Sequence, residues 1–117
     1  MTIEINGKEY ELYFGLDFID GLNQLYGFES NGVKMQLGGL KMLEAAMSMK
    51  DIVAIRKIIK AATETLKSKP SNRDIEKYIE TRVIEEGLDK IYAEFETEIK
   101  KQPFLNALTK NQAENQE

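Results

Sequence analysis

The strongest constraint on the fold lies at the N-terminus, in the stretch MTIEINGKEYELYF. Residues on either side of Asn6-Gly7 alternate between apolar and polar. Asn and Gly accept the positive φ angles of a two-residue type I′ turn, and alternation is the period of a half-buried strand, so the stretch predicts a β-hairpin. A turn at Asn6-Gly7 sets Ile5 opposite Lys8 and Ile3 opposite Tyr10. One face then carries Ile3, Ile5, Tyr10, Leu12 and Phe14, with Lys8 as its polar exception, and the other carries Thr2, Glu4, Glu9, Glu11 and Tyr13. An isolated hairpin is marginal in water, so the apolar face needs a cover. Its free edges are also open to a strand from another molecule.

Almost everything that follows reads as helix. The expected fold class is α+β, mainly α, with the hairpin of residues 1–14 packed on a bundle of four to five helices in residues 16–102. Leu16, Phe18, Ile19, Leu22, Leu25 and Tyr26 recur at helical spacing and predict a first helix from Leu16 to Tyr26. Asp17 lies in its first turn, where a carboxylate favours the helix dipole. Gly27 is a candidate left-handed terminator, with Phe28 packing back after it. Gly21, mid-helix, suits the close approach of another element. Glu29–Lys34 reads as a turn centred on a second Asn-Gly pair, Asn31-Gly32. A second helix is expected from Leu37 to Met49, its start frayed by Gly38-Gly39. Asp51 caps a third, expected to reach Lys67, whose stripe is Ile52, Ile55, Ile59, Ala62 and Leu66. Pro70 breaks the pattern, and Ser71 or Asn72 caps a fourth helix carrying Ile75, Tyr78, Ile79 and Val83. Gly87 either separates this from a fifth helix, with Leu88, Ile91, Tyr92, Phe95 and Ile99, or lies within one long helix that Pro103 ends. Residues 1–104 are thus expected as a single globular domain, and 105–117 as a polar, disordered tail.

Composition closes off most chemistry. Among 117 residues there is no Cys and no His. That removes disulfides, thiolate metal sites, cysteine nucleophiles, the usual base near neutral pH and the commonest transition-metal ligand. Glu85, Glu86 and Asp89 are close enough for a hard cation, but acids at that spacing are the ordinary exposed face of a helix. No phosphate-binding glycine motif is present. No enzyme activity, no cofactor and no metal are expected. Neither a leader peptide nor an apolar run of membrane-spanning length is visible, which points to the cytoplasm and away from a membrane. The net charge of −4 argues against nucleic acid as the main partner. A nucleic-acid reading could use Arg56, Lys57, Lys60, Lys67 and Lys69, but apolar residues interleave them without aromatics for stacking. The excess of bases between Lys41 and Arg82 and of acids between Glu85 and Glu98 reads as two solvated faces, or as a head-to-tail contact in a homo-oligomer.

Four of the five methionines, Met35, Met42, Met47 and Met49, fall in one short stretch. Flexible thioethers fill core gaps, and they also line adaptable binding surfaces. Met35, Leu37, Met42, Met47 and Met49 are accordingly the candidate partner-binding residues.

The run EINGKEYELYFGLDFIDGLNQLYGFESNG resembles the opening of the tail assembly chaperones of long-tailed bacteriophages and prophages of Gram-positive hosts. That opening has an INGK-like hairpin, a Phe-Gly-Leu helix start, LNxxYG and a short turn. IIKAATETLKSKPSNRDIEKYIE and IEEGLDKIYAEFETEIKKQPF are similar to later parts of the same family, so the resemblance spans about residues 3–104. It implies a protein that binds the long, helical tape measure protein and keeps it soluble until tail-tube subunits polymerise around it. It implies work in the host cytoplasm, absence from the mature virion, and the major tail protein and a frameshifted longer form of the chaperone as further partners. Thr109-Lys110-Asn111 can be encoded with the slippery heptamer A AAA AAC, and Ile99-Lys100-Lys101 can hide another. The competing reading is a small cytosolic adaptor or DNA-associated regulator of phage origin.

Overall fold

Asn6 and Gly7 both take positive φ, 51° and 77°, and close the expected type I′ turn between β1 (Thr2–Ile5) and β2 (Lys8–Glu11). The computed structural model, which describes residues 1–114, pairs Ile5 with Lys8 and Ile3 with Tyr10 in an antiparallel ladder. Ile3, Ile5, Tyr10, Leu12 and Phe14 are all buried. Lys8 avoids burying its charge by lying over the Tyr10 ring and donating to the Ser68 hydroxyl.

The hairpin covers a bundle of six helices among the described residues: α1 (Leu16–Leu25), α2 (Gly39–Ser48), α3 (Val53–Ala62), α4 (Asn72–Glu86), α5 (Leu88–Lys100) and α6 (Pro103–Glu114). The fold is mainly α with an N-terminal hairpin, as the sequence pattern predicts. β1 packs on α4. The centre is built by Phe18 and Leu22 of α1, Ile55, Ile58 and Ile59 of α3, Ile75 of α4, and Ile91 and Phe95 of α5, all essentially inaccessible. α1 crosses both α2 and α3. A Cβ on Gly21 would sit 3.1 Å from Ala61 Cα, so this glycine does serve a close helix crossing. Gly39 serves a closer one: its Cβ would fall 2.5 Å from the Leu22 carbonyl carbon, and its N–H donates to Asn23 Oδ1 at 2.8 Å.

Several elements differ from expectation, each for a physical reason. Glu29–Lys34 is more than a turn. It closes a second hairpin of β3 (Phe28–Ser30) and β4 (Val33–Met35), with Asn31 and Gly32 again at positive φ. Strands of three residues are too short for a period to show. Gly27 does not adopt the left-handed conformation. It is small because a Cβ there would lie 3.3 Å from the Asn23 and Met35 carbonyl oxygens, where β4 passes the end of α1. Phe28 is 53% exposed and takes no part in the core.

The end of α3 is set from outside the helix. The pattern runs to Lys67, yet α3 stops at Ala62. In a longer helix the Ala62 carbonyl would accept from the Leu66 N–H. It accepts instead from the Tyr13 N–H at 2.9 Å, and Leu66 turns back to the Thr63 carbonyl. At the other end, Asp51 does two jobs. Its N–H reaches the Ala46 carbonyl and, with Lys50 at φ 54°, closes α2 in a Schellman turn, while its carboxylate accepts from the Val53 N–H at 3.0 Å. Ser71 is the cap of α4, accepting from the Asp74 N–H. Gly87, at φ 90°, separates α4 from α5. Arg82 spans the break, bonding Tyr78, Glu86 and Glu94.

The largest departure is at the C-terminus. Residues expected as a disordered tail from 105 onward instead form α6, with Leu105 buried and Leu108 half-buried against the bundle. Pro103 ends α5 by lacking the N–H that would continue it, and it occupies the first position of α6, where that N–H is not needed. Residues 115–117 of the expected tail lie outside those described.

Candidate functional site: a groove between α2, α5 and α6

Leu40, Leu43, Glu44 and Met47 recur at i, i+3, i+4 and i+7, so they form one stripe of α2. That stripe faces Glu96, Ile99 and Lys100 of α5 and Leu105, Asn106 and Thr109 of α6. The three helices enclose a groove of about 570 Å³. Its volume lies within the range of pockets that bury a bound group, roughly 300–1,000 Å³. Leu40, Leu43 and Leu105 are buried in its floor, and Met47 and Ile99 are half-buried on its sides. The rim is polar. Lys100 pairs with Glu96 at 2.6 Å, and the Thr109 hydroxyl donates to the Glu44 carboxylate at 3.0 Å, joining α6 to α2.

The five candidate partner-binding residues do not form one surface. Met47 alone lines the groove. Met42 and Met49, seven residues apart, share the opposite side of α2 and are 51% and 79% exposed. Leu37 is exposed ahead of α2. Met35 lies on β4, in a shallow depression shared with Gln24, Gly27 and Phe28. A run of methionines in sequence is scattered by a helix that turns 100° per residue. Every groove residue other than Met47 was missed by sequence reasoning, Leu40, Leu43, Ile99 and Leu105 among them. The α2 members were visible as a stripe. Leu105 and Thr109 belong to the stretch expected to be tail, and the signal there is Pro103 at a helix start followed by Leu at 105 and 108.

Other charged clusters are internally engaged. Glu86 pairs with Arg82 and Lys90, and Asp89 pairs with Lys50. These partners hold both carboxyls below their ordinary range, chiefly through the side-chain hydrogen bonds. Arg56 pairs with Glu76, Lys69 with Glu64, and Lys57 lies 3.9 Å from the Tyr26 ring centroid. Burial pushes the Tyr26 and Tyr78 hydroxyls up, and Tyr92 up to about 12, away from the neutral range in which a general base works. Among the described residues no group of three or more His, Cys, Asp or Glu could hold a metal ion, and no helix is long and apolar enough to cross a membrane.

The fold is a small, mainly helical one that carries an apolar trough with a charged rim between α2, α5 and α6. The chain belongs to the phage tail assembly chaperones: the family model described as "Phage tail assembly chaperone protein, TAC" matches residues 2–113. The match takes in the hairpin, the bundle and nearly all of α6. No curated protein and no solved structure shows significant similarity to the chain.

Proposed function

We propose that this chaperone binds the tape measure protein and holds it soluble in the host cytoplasm until tail-tube subunits assemble around it, and that it is absent from the finished virion. The observation that supports this reading is the groove. It is apolar on its floor, polar on its rim and walled by helices, which is the form that accepts a side of an amphipathic helix. A long helical client offers many such segments, each burying apolar surface that would otherwise drive aggregation.

Co-expression with the tape measure protein tests it. Met47→Glu sets a third carboxylate beside Glu44 and Glu96 and is expected to abolish the solubility rescue while the helical circular dichroism stays intact. Met42→Glu and Met49→Glu, on the far side of α2, are expected to rescue as well as the wild type. Equal rescue by Met47→Glu would move the contact to that far side or to the free edges of the hairpins.

The major tail protein and a frameshifted longer form are the further partners in this reading. The gene decides the second. A slippery heptamer at Thr109-Lys110-Asn111 or at Ile99-Lys100-Lys101, followed by an overlapping open frame, is expected. A gene with neither leaves the short form as the product.

A further inference from the structure

We propose that Asn31 is a site of spontaneous covalent modification: it deamidates through a succinimide formed with Gly32, while the fold protects its twin, Asn6. The inference is independent of the chaperone reading, and the reaction needs no reagent beyond water.

The chemistry starts from the dipeptide. In an Asn-Gly pair the glycine has no side chain to shield its backbone nitrogen. That nitrogen attacks Cγ of the Asn side chain and loses its proton to solvent. A C–N bond forms, the side-chain amide nitrogen leaves as ammonia, and a five-membered succinimide results. Water then opens the ring at either carbonyl. One product is Asp. The other is isoaspartate, in which the main chain runs through the former side chain and is longer by one methylene. Both carry a carboxylate where a neutral amide stood. In a type I′ turn the turn hydrogen bond is made by the residue after the glycine, so the glycine N–H is unbonded. Ring closure still requires the turn to leave its folded geometry, and the rate follows how often the turn opens.

The chain carries this dipeptide twice, in the same turn. Asn6 and Gly7 have φ angles of 51° and 77°, and Asn31 and Gly32 have 52° and 79°. Local geometry does not distinguish them, but what stands behind each turn does. The first hairpin puts Ile3, Ile5, Tyr10, Leu12 and Phe14 into the core. Ile5 adjoins Asn6, and Lys8 adjoins Gly7 and is tied to the Ser68 hydroxyl. Opening this turn draws Ile5 out of the core, and the burial of one Ile lowers the open population about tenfold or more. The second hairpin has no such anchor. Every residue from Gly27 to Lys34 is exposed, and none from 27 to 38 belongs to the hydrophobic core. Three-residue strands without a cover are marginal in water, so this turn opens locally while the bundle stays folded. Isoaspartate at position 31 then lengthens a loop that closes with two residues, which keeps β3 and β4 apart and leaves the helices untouched.

Ageing the full chain at mildly alkaline pH and physiological temperature tests this. Trypsin cuts after Lys8 and Lys34, so Asn6 and Asn31 fall in separate peptides, and tandem mass spectrometry reads the gain of one mass unit at each. In the folded protein Asn31 is expected to react about tenfold faster than Asn6 or more. In guanidinium chloride the two rates are expected to converge to within about threefold, because the unfolded chain offers both dipeptides alike. Ile5→Val, which loosens the first hairpin without removing it, is expected to raise the Asn6 rate about twofold to fivefold and to leave Asn31 unchanged. Protein modified at Asn31 is expected to keep its helical circular dichroism. Equal rates in the folded protein, a faster Asn6, or no reaction at Asn31 would each overturn the proposal. An Asn6 rate unmoved by Ile5→Val would overturn the protection by packing, and loss of helix on modification would overturn the independence of the second hairpin.

Discussion

Gly38 and Gly39 are adjacent, and in the sequence they look interchangeable, two residues that loosen a helix start. The structure separates them. Gly38 is at φ 74°, and a Cβ there would meet nothing within 4 Å. Its replacement by Ala carries only the left-handed backbone penalty, about 1 kcal/mol. Gly39 has ordinary helical geometry but no room. Its Cβ would lie 2.5 Å from Leu22 C, 2.6 Å from Asn23 N and 2.7 Å from Leu22 O, where ordinary contact begins at 3.4 Å. All three obstacles are backbone atoms of α1, so no side chain can rotate away, and α1 and α2 must part by somewhat under 1 Å. Overpacking of this kind costs roughly 1–3 kcal/mol. The separation also stretches the 2.8 Å bond from the Gly39 N–H to Asn23 Oδ1, worth about 1 kcal/mol. The gain in helix propensity from Gly to Ala returns at most about 1 kcal/mol. The last two terms roughly cancel, so Gly39→Ala is expected to destabilise by about 1–3 kcal/mol, a sizeable share of a stability of roughly 5–15 kcal/mol. Gly38→Ala is expected to lose about 1 kcal/mol. Urea unfolding followed by far-ultraviolet circular dichroism measures both, with m-values that stay equal if only the native state is affected. A Gly39→Ala protein as stable as the wild type, or less destabilised than Gly38→Ala, would refute the close crossing of α1 and α2.

Ile5 is 2% exposed on the covered face of the N-terminal hairpin, so Ile5→Asp is expected to cost several kcal/mol, about 3–5, through a buried charge without a partner, and unchanged thermal stability would show that this face is free. The Tyr92 hydroxyl is buried with no hydrogen-bond partner among the described residues, so Tyr92→Phe is expected to raise stability by about 1 kcal/mol, whereas a loss would reveal a bonded partner such as a trapped water. The same residue sets an alkaline limit. Burial, then the charge of Asp51, raises Tyr92 from 10.0 to about 12, so the unfolded chain releases the proton first and stability falls as pH climbs between those values. Tyr92→Phe is expected to flatten that part of a stability–pH curve, and an unchanged slope would assign the decline to other groups.

Local chemistry was sufficient wherever a structural choice is made within a few residues. Both Asn-Gly pairs close type I′ turns because these residues tolerate positive φ by themselves, and the alternation from Ile3 to Phe14 settles the register since a slip of one residue would turn the apolar face to water. Around α4 the local signals left two alternatives each, Ser71 or Asn72 as its cap and a break or a continuous helix at Gly87, and the structure takes Ser71 and the break. The lack of His and Cys bounds the chemistry without any fold. The features on which the proposed function depends are of another kind. α3 ends at Ala62 because Tyr13, in the segment that follows the N-terminal hairpin and far away in sequence, takes its carbonyl. Gly27 and Gly39 are small because other backbones pass them, and α6 folds because Leu105 finds the floor made by α2 and α5. The methionines divide between groove and solvent because neighbouring helices choose which side of α2 is covered. Each of these is a contact between segments distant along the chain, and their partners exist only once the helices have crossed.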